Sequence, residues 1–291
     1  MSSSANPIKF RDRREWLAAA ARYSNQKIVE QKAIWQELQN SFPEVWERLK
    51  DHNYNFTAIF IGAASDSIEV SLMQDFLQAR GTEENLEFFA QNISPLMRED
   101  FYTHASKLGL ADLVKAYDLY RFEDSRYQPP QCDFALASHC WAYISGWRNE
   151  RTSANSLAKF VDLLKPSSVG LINLQSNKSD PFLLLSNYLS IENTYSESSS
   201  EDVIYELDKL GIPYQVNTID ASTDISSCFK NNIFEPNTDG KMLLSNWLHT
   251  WWDDLSTKSQ TQIGKDLSLL IKKNGQEKLI LRHAFIWLST D

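Results

Sequence analysis

Two stretches decide the fold. Asp133-Phe134-Ala135-Leu136-Ala137-Ser138-His139-Cys140-Trp141-Ala142-Tyr143-Ile144 is the first. Phe160-Val161-Asp162-Leu163-Leu164-Lys165-Pro166, running into Gly170-Leu171-Ile172-Asn173-Leu174, is the second. Residues 133–137 read as a strand, an apolar run over 134–137 opened by Asp133, the pattern of a strand covered on both faces. Residues 153–165 have the spacing of a helix and stop at Lys165-Pro166, because proline cannot continue one. A second apolar run follows at 169–174. Strand, linker, helix, break and strand in this order are the middle of a doubly wound parallel sheet.

The pattern extends in both directions. Thr57-Ala58-Ile59-Phe60-Ile61-Gly62 and Leu86-Glu87-Phe88-Phe89-Ala90 read as strands, each followed by a helix, at 68–77 and 95–108. A third strand is expected at Ala116–Tyr120. Before them, residues 10–50 read as helices, with Ile28, Ile34, Trp35 and Leu38, then Val45, Trp46 and Leu49, at helical spacing around Pro43. Beyond 174 come helices at 182–189 and 202–210, the latter stopped by Gly211. A strand at 214–219 follows, then helices at 225–229, 243–255 and 260–273. The last strand is expected at 278–288, after an Asn274-Gly275 turn. The whole is α/β and Rossmann-like, with a doubly wound, mostly parallel sheet. This order resembles class I S-adenosylmethionine (SAM) methyltransferases, with 133–174 in the place of their fourth and fifth strands. The resemblance implies seven strands, an N-terminal helical lid and helical insertions. It divides the chain into a helical cap at 1–55 and a SAM-binding core at 56–291, with acceptor-pocket helices at about 225–273.

Composition limits the alternatives. With 291 residues, 42% of them apolar, the chain can fill a large core. A net charge of −9 disfavours nucleic acid and anionic membranes as partners. Cys132, Cys140 and Cys228 show no paired spacing, so neither a disulfide framework nor a CxxC metal motif is expected. No signal peptide and no apolar stretch of membrane-spanning length is seen, which points to the cytoplasm. Most of the nine Trp and 15 Phe are expected in the core. Trp247, Trp251 and Trp252 crowd one segment and are candidates for an acceptor pocket.

The resemblance also places a cofactor. Its glycine-rich turn falls on Gly62-Ala63-Ala64-Ser65-Asp66-Ser67, where only the first glycine remains. A bare turn at a helix N-terminus lets a ligand approach backbone closely. The acid that binds ribose is replaced by Gln91, whose amide oxygen can still accept a hydrogen bond. Glu123, Asp124 and Ser125 fall where adenine is held, and Ser138 ends the fourth strand. SAM is the expected cofactor, on Gly62, Ala63, Ala64, Gln91, Glu123, Asp124, Ser125 and Ser138. No metal is expected.

The C-terminal third narrows the resemblance. Asp224-Ile225-Ser226-Ser227-Cys228-Phe229, Gly240 and Gly264-Lys265-Asp266-Leu267 look like pieces of the histamine N-methyltransferase family. That family's amine-binding carboxylate would fall on Gln26, in Tyr23-Ser24-Asn25-Gln26-Lys27. A Gln after the fourth strand becomes His139, and an Asn in the last strand becomes His283, beside Arg282. A negative group is lost and protonatable ones appear, which favours a carboxylate over an ammonium. Gln26, His139, Arg282 and His283 would then orient the acceptor, with Trp141 and Tyr143 as walls. The expected activity is methyl transfer to a small molecule or peptide, foremost to a carboxylate such as a natural-product peptide C-terminus. The chain could then be one module of a larger enzyme. N-methylation of a small amine or imidazole is one alternative. The other is a non-catalytic interaction subunit, motivated by the eroded glycine turn and Gln91.

Overall fold

Alternation of buried side chains along the strands sorts the core into two layers. The computed structural model describes residues 22–64, 68–141, 144, 150–191, 198–248, 250–275 and 277–290. Its main sheet has seven strands: β1 Phe56–Ile61, β2 Leu86–Gln91, β3 Val114–Asp118, β4 Cys132–Ser138, β5 Leu164–Gln175, β6 Gln215–Asp224 and, after a short hairpin (β7 Phe229–Lys230, β8 Ile233–Phe234), β9 Lys278–Ser289. The order across the sheet is β3-β2-β1-β4-β5-β9-β6. β1 to β5 pair in parallel. Bonds from Ser176 N to Arg282 O and from Thr290 N to Ser168 O run β9 antiparallel to β5. The strand order reverses between β1 and β4, so their carboxyl ends flank the crevice where open α/β sheets bind ligands.

Two compact units are distinguishable. The larger comprises 30–174, 198–219 and 283–291; the smaller comprises 1–29, 175–197 and 220–282.

In the larger unit, Phe56, Ala58 and Phe60 of β1 face one side, with Phe285 and Trp287 of β9. Against them lie helices α1 (Gln26–Ser41) through Ile34 and Leu38, α2 (Pro43–Lys50), α3 (Ile68–Arg80) and α4 (Pro95–Lys107). Ile59 and Ile61 face the other side, with Ala284, Ile286 and Leu288. There they meet α5 (Glu150–Asp162) through Leu157 and Phe160, and α7 (Ser200–Leu210) through Val203 and Leu207. Both faces are apolar because successive residues of a strand point to opposite sides.

The smaller unit has its own core of Leu184, Ile225, Cys228, Leu244, Leu248, Trp252, Ile263 and Leu267. These come from α6 (Asp180–Ile191), α8 (Thr238–Leu248), α9 (Thr257–Asn274) and their connections. The motif glycines serve this packing. A Cβ on Gly240 would lie 2.4 Å from Ser227 O, and one on Gly264 would lie 2.5 Å from the Phe234 ring.

Four expectations need correction. Lys165-Pro166 does not separate helix from strand: α5 ends at Asp162 and β5 already begins at Leu164. The register slips there, from Cys132↔Leu164 to Phe134↔Val169, and Ser167 takes a φ of 56°. The proline sits in a bulge, one of the few places a strand tolerates it. Second, 225–229 is a 3-10 turn at Ser226–Cys228 and a two-residue strand, not a helix, and the preceding strand continues to Asp224. Third, the helix expected at 243–255 ends at Leu248 and a 3-10 turn follows at Trp252–Asp254. Fourth, Ile28 is 59% exposed, so the buried stripe of α1 is Glu30, Ile34 and Leu38.

Candidate active site

The carboxyl ends of β1, β2 and β4 meet at Gly62. Its φ is +72°, a conformation suited to glycine. A Cβ there would lie 2.3 Å from the Cys140 Cβ and 2.8 Å from its Sγ. The close approach read from the sequence as a ligand's is thus made by Cys140, whose thiol also donates to Ile61 O at 3.1 Å. The turn is tied down further. Ala63 N donates to Gln91 O at 3.0 Å, and Ala63 O accepts from Tyr117 Oη at 2.6 Å and Asn92 Nδ2 at 3.0 Å. Burial pushes the Tyr117 hydroxyl above the ordinary phenol range, so it stays a donor. Ser65, Asp66 and Ser67, on which part of the glycine-turn reading rests, lie outside the described residues.

Gln91 is not presented to a ribose. It is buried, its Oε1 accepts from Gly62 N at 3.3 Å, and its Nε2 donates to the Tyr120 carbonyl. The longer amide serves as a strut where an acid was expected.

The acidic loop after β3 divides by role. Asp124 is closed on Arg126, which donates from Nη2 at 2.6 Å and Nε at 3.0 Å, and this pairing holds its carboxyl down at about 2. Lys159 caps the loop by donating to the carbonyls of Phe122 (2.6 Å) and Asp124 (3.0 Å). Ser125 is exposed. Glu123 has a buried Oε1 without a hydrogen-bond partner among the described residues, which leaves it the acid of this loop best placed to take a ligand's donor.

Of the acceptor-site residues, His139 and His283 come together with a residue that the sequence reading missed. Glu30 is 1% exposed on α1. Its carboxylate oxygens lie 2.9 and 3.1 Å from His139 Nε2, and Oε1 lies 3.5 Å from His283 Nδ1. The two imidazoles stand edge to face, with centroids 4.9 Å apart. His139 follows Ser138 at the end of β4 and holds a φ of +54°. Its N–H donates to Asn173 O at 2.8 Å, which pins it to the end of β5. His283 shares a face of β9 with Phe285 and Trp287, the face covered by α1. Glu30 had a sequence signal: it lies four residues before Ile34 and eight before Leu38, so it is an acid within an apolar stripe. Such a carboxylate is buried only with partners.

The remaining predicted residues have other surroundings. Gln26 opens α1 and belongs to the smaller unit. Arg282 also lies there and grips Asp220 with two bonds, Nε at 2.8 Å and Nη2 at 2.7 Å. Trp141 is fully buried among Phe122 (5.8 Å) and Phe160 (5.4 Å), so it is a core residue instead of a pocket wall. Tyr143 lies outside the described residues. Trp247 and Trp252 pack in the smaller unit's core. No helix among the described residues is long and apolar enough to cross a membrane.

Solved structures share this architecture. A Galdieria sulphuraria protein provisionally named sarcosine dimethylglycine methyltransferase matches with a TM-score of 0.51 at 13% identity, over 90% of this chain and 86% of its own. The YcgJ protein of Bacillus subtilis gives 0.51 at 14% identity, over 85% and 98%. A protein from Bacillus halodurans C-125, provisionally named a methyltransferase, gives 0.52 at 9% identity, over 86% and 98%. At these identities the likeness establishes the fold alone, a Rossmann-like α/β sheet. No protein-family model matches the chain, and no curated protein matches it by sequence.

Proposed function

We propose that this protein transfers the methyl group of SAM to a nitrogen or oxygen of a small acceptor that must lose a proton to react. The observation that carries the reading is the Glu30–His139–His283 cluster at the carboxyl edge of β4 and β5, beside the Gly62 turn. When bound, SAM supplies a sulfonium methyl that is already activated. What remains for the chain is to hold, orient and deprotonate the acceptor and to exclude water. Ser138, Glu123 and the Gly62–Ala64 turn are the groups offered to the cofactor. Glu30 and the two histidines are the groups offered to the acceptor, whose lone pair is free only after its proton has gone.

The preference for a carboxylate acceptor rested on a lost negative charge and a gained Arg282. Glu30 restores the charge, and Arg282 is engaged with Asp220. Both observations move the balance towards an amine, imidazole or hydroxyl. The resemblance to histamine N-methyltransferases puts their amine-binding acid at Gln26, and Glu30, about one turn further along α1, supplies a carboxylate from the same helix. Gln91 as a strut keeps one competing reading in play, a SAM-fold interaction subunit without activity.

The test is a panel of acceptors read by mass spectrometry, each carboxylate paired with its amide. Methyl transfer to nitrogen or hydroxyl oxygen, retained in the amides and abolished by Glu30→Gln, is the expected result. Ester formation on carboxylates alone would overturn the proton-loss reading.

A further inference from the structure

We propose that Glu30, His139 and His283 form a binding site for a divalent transition-metal ion, with zinc as the ion best suited to it. Each offers one ligand atom, and the three atoms all lie within 4.8 Å of one another. Two imidazoles and one carboxylate are a nitrogen–oxygen set that catalytic zinc accepts, with a coordination position left for water or substrate. Bonds of about 2.0–2.2 Å in a tetrahedral arrangement set neighbouring ligands about 3.3–3.5 Å apart. Glu30 Oε1 to His283 Nδ1 is 3.5 Å, and Glu30 Oε1 to His139 Nε2 is 2.9 Å. Glu30 Oε1 thus already stands near ligand spacing from both histidines, and closing the three atoms from within 4.8 Å onto one ion completes the set.

Three further features fit a cation. The Glu30 and His283 side chains are each 2% exposed, so an ion held between them would be shielded from bulk water. Asn173 is fully buried beside the cluster, with Nδ2 at 3.2 Å from His139 Nε2, and its Oδ1 has no hydrogen-bond partner among the described residues. Facing both the Glu30 carboxylate and the Asn173 amide N–H, His139 Nε2 would have to be donor and acceptor at once. The two ends of an amide are interchangeable in shape. With Asn173 turned over, its oxygen faces the cluster and can accept a hydrogen bond from a water or acceptor held on the open position. Finally, His139 is held at a positive φ by the bond of its N–H to Asn173 O, so the ligand is fixed before an ion arrives.

The ion's use in the reaction rests on the proposed methyl transfer; the site itself does not. An acceptor hydroxyl or imidazole on the open position would lose its proton to solvent more readily there. The methyl carbon's bond to sulfur then breaks as its bond to the acceptor atom forms, and the neutral thioether leaves.

The experiment uses the tag-free full chain, stripped with a chelator and dialysed. Zn²⁺ is titrated by calorimetry, and Co²⁺ is followed by its visible absorption. One ion per chain is expected, with a cobalt spectrum of low-symmetry nitrogen–oxygen coordination. Glu30→Gln and His283→Gln should each weaken binding about 100-fold or more, since even groups outside the ligand set are worth 10–100-fold. Asp133→Asn, remote from the cluster, should leave it unchanged. The site is refuted by no binding, or by binding that both ligand variants retain while folded by circular dichroism. SAM is titrated into the same stripped protein. SAM binding without metal binding sinks only the metal site, and metal binding without SAM binding sinks only the methyl-transfer reading.

Discussion

Replacing Gly62 by alanine adds one methyl group at a crowded point just past the carboxyl end of β1. The new Cβ would lie 2.3 Å from the Cys140 Cβ, far inside contact distance, on a residue whose φ is +72°. An L-residue in the left-handed region costs about 1–2 kcal/mol. Overpacking a filled site costs about 1–3 kcal/mol more. The sum, about 2–5 kcal/mol, is a large share of a domain's total stability of about 5–15 kcal/mol. The two parts separate in a double-mutant cycle. Cys140→Gly removes the atom that is struck, so Gly62→Ala in that background should lose only the conformational part, about 1–2 kcal/mol. Cys140→Ala keeps the Cβ and should rescue little. Urea unfolding followed by tryptophan fluorescence reads all of these. If Gly62→Ala is as stable as the parent, or both cysteine backgrounds rescue equally, the assignment of Gly62 to packing against Cys140 is wrong.

Further outcomes follow from other sites. Asp133, fully buried, takes bonds from Arg48 (3.2 Å), Lys165 (2.6 Å), Tyr54 (2.7 Å) and Thr57 N (3.0 Å). Asp133→Ala should cost about 2–4 kcal/mol, discounted because both cations are partly exposed, without changing SAM affinity, since the residue is at the opposite end of β4. Trp141→Ala should cost about 3–5 kcal/mol in urea unfolding, as a core residue and not a pocket wall would. Burial raises the Asp75 carboxyl above its ordinary range, partly offset by the bond from Gln31 at 2.6 Å. The folded state thus holds that proton more tightly than the unfolded chain, and stability from this group is lost as pH rises through the folded pKa. Asp75→Asn should raise the melting temperature at pH 7, with the gain vanishing below about pH 4. Burial pushes the Cys228 thiol up to about 12 and raises Cys132 too, whereas Cys140 is half-buried. A thiol reagent should modify Cys140 in the native protein and all three cysteines only after denaturation.

The middle of the sheet was legible because β1, β4 and the second half of β5 are buried on both faces and so read as nearly continuous apolar runs. β2 was found from its aromatic and apolar content despite Glu87. Pro166 misled because a proline at a bulge looks the same in sequence as a proline at a helix end. The site was only half legible. His139 and His283 were found because histidine carries chemistry at any position. Glu30 was missed because a charged residue on a helix usually faces water, and only its phase with Ile34 and Leu38 betrays it. Gly62 was found, but which neighbour it makes room for depends on where Cys140 lies in space, and Gln91 as a strut depends on the strand register.

The central claim is that the eroded turn at Gly62 still belongs to a working SAM site. Calorimetric titration of the full chain with SAM tests it most directly. Saturable binding of one SAM per chain, weakened by Glu123→Gln, is the predicted result. A folded protein that releases no binding heat and gains no thermal stability from saturating SAM would contradict the claim and leave a SAM-fold protein without the cofactor.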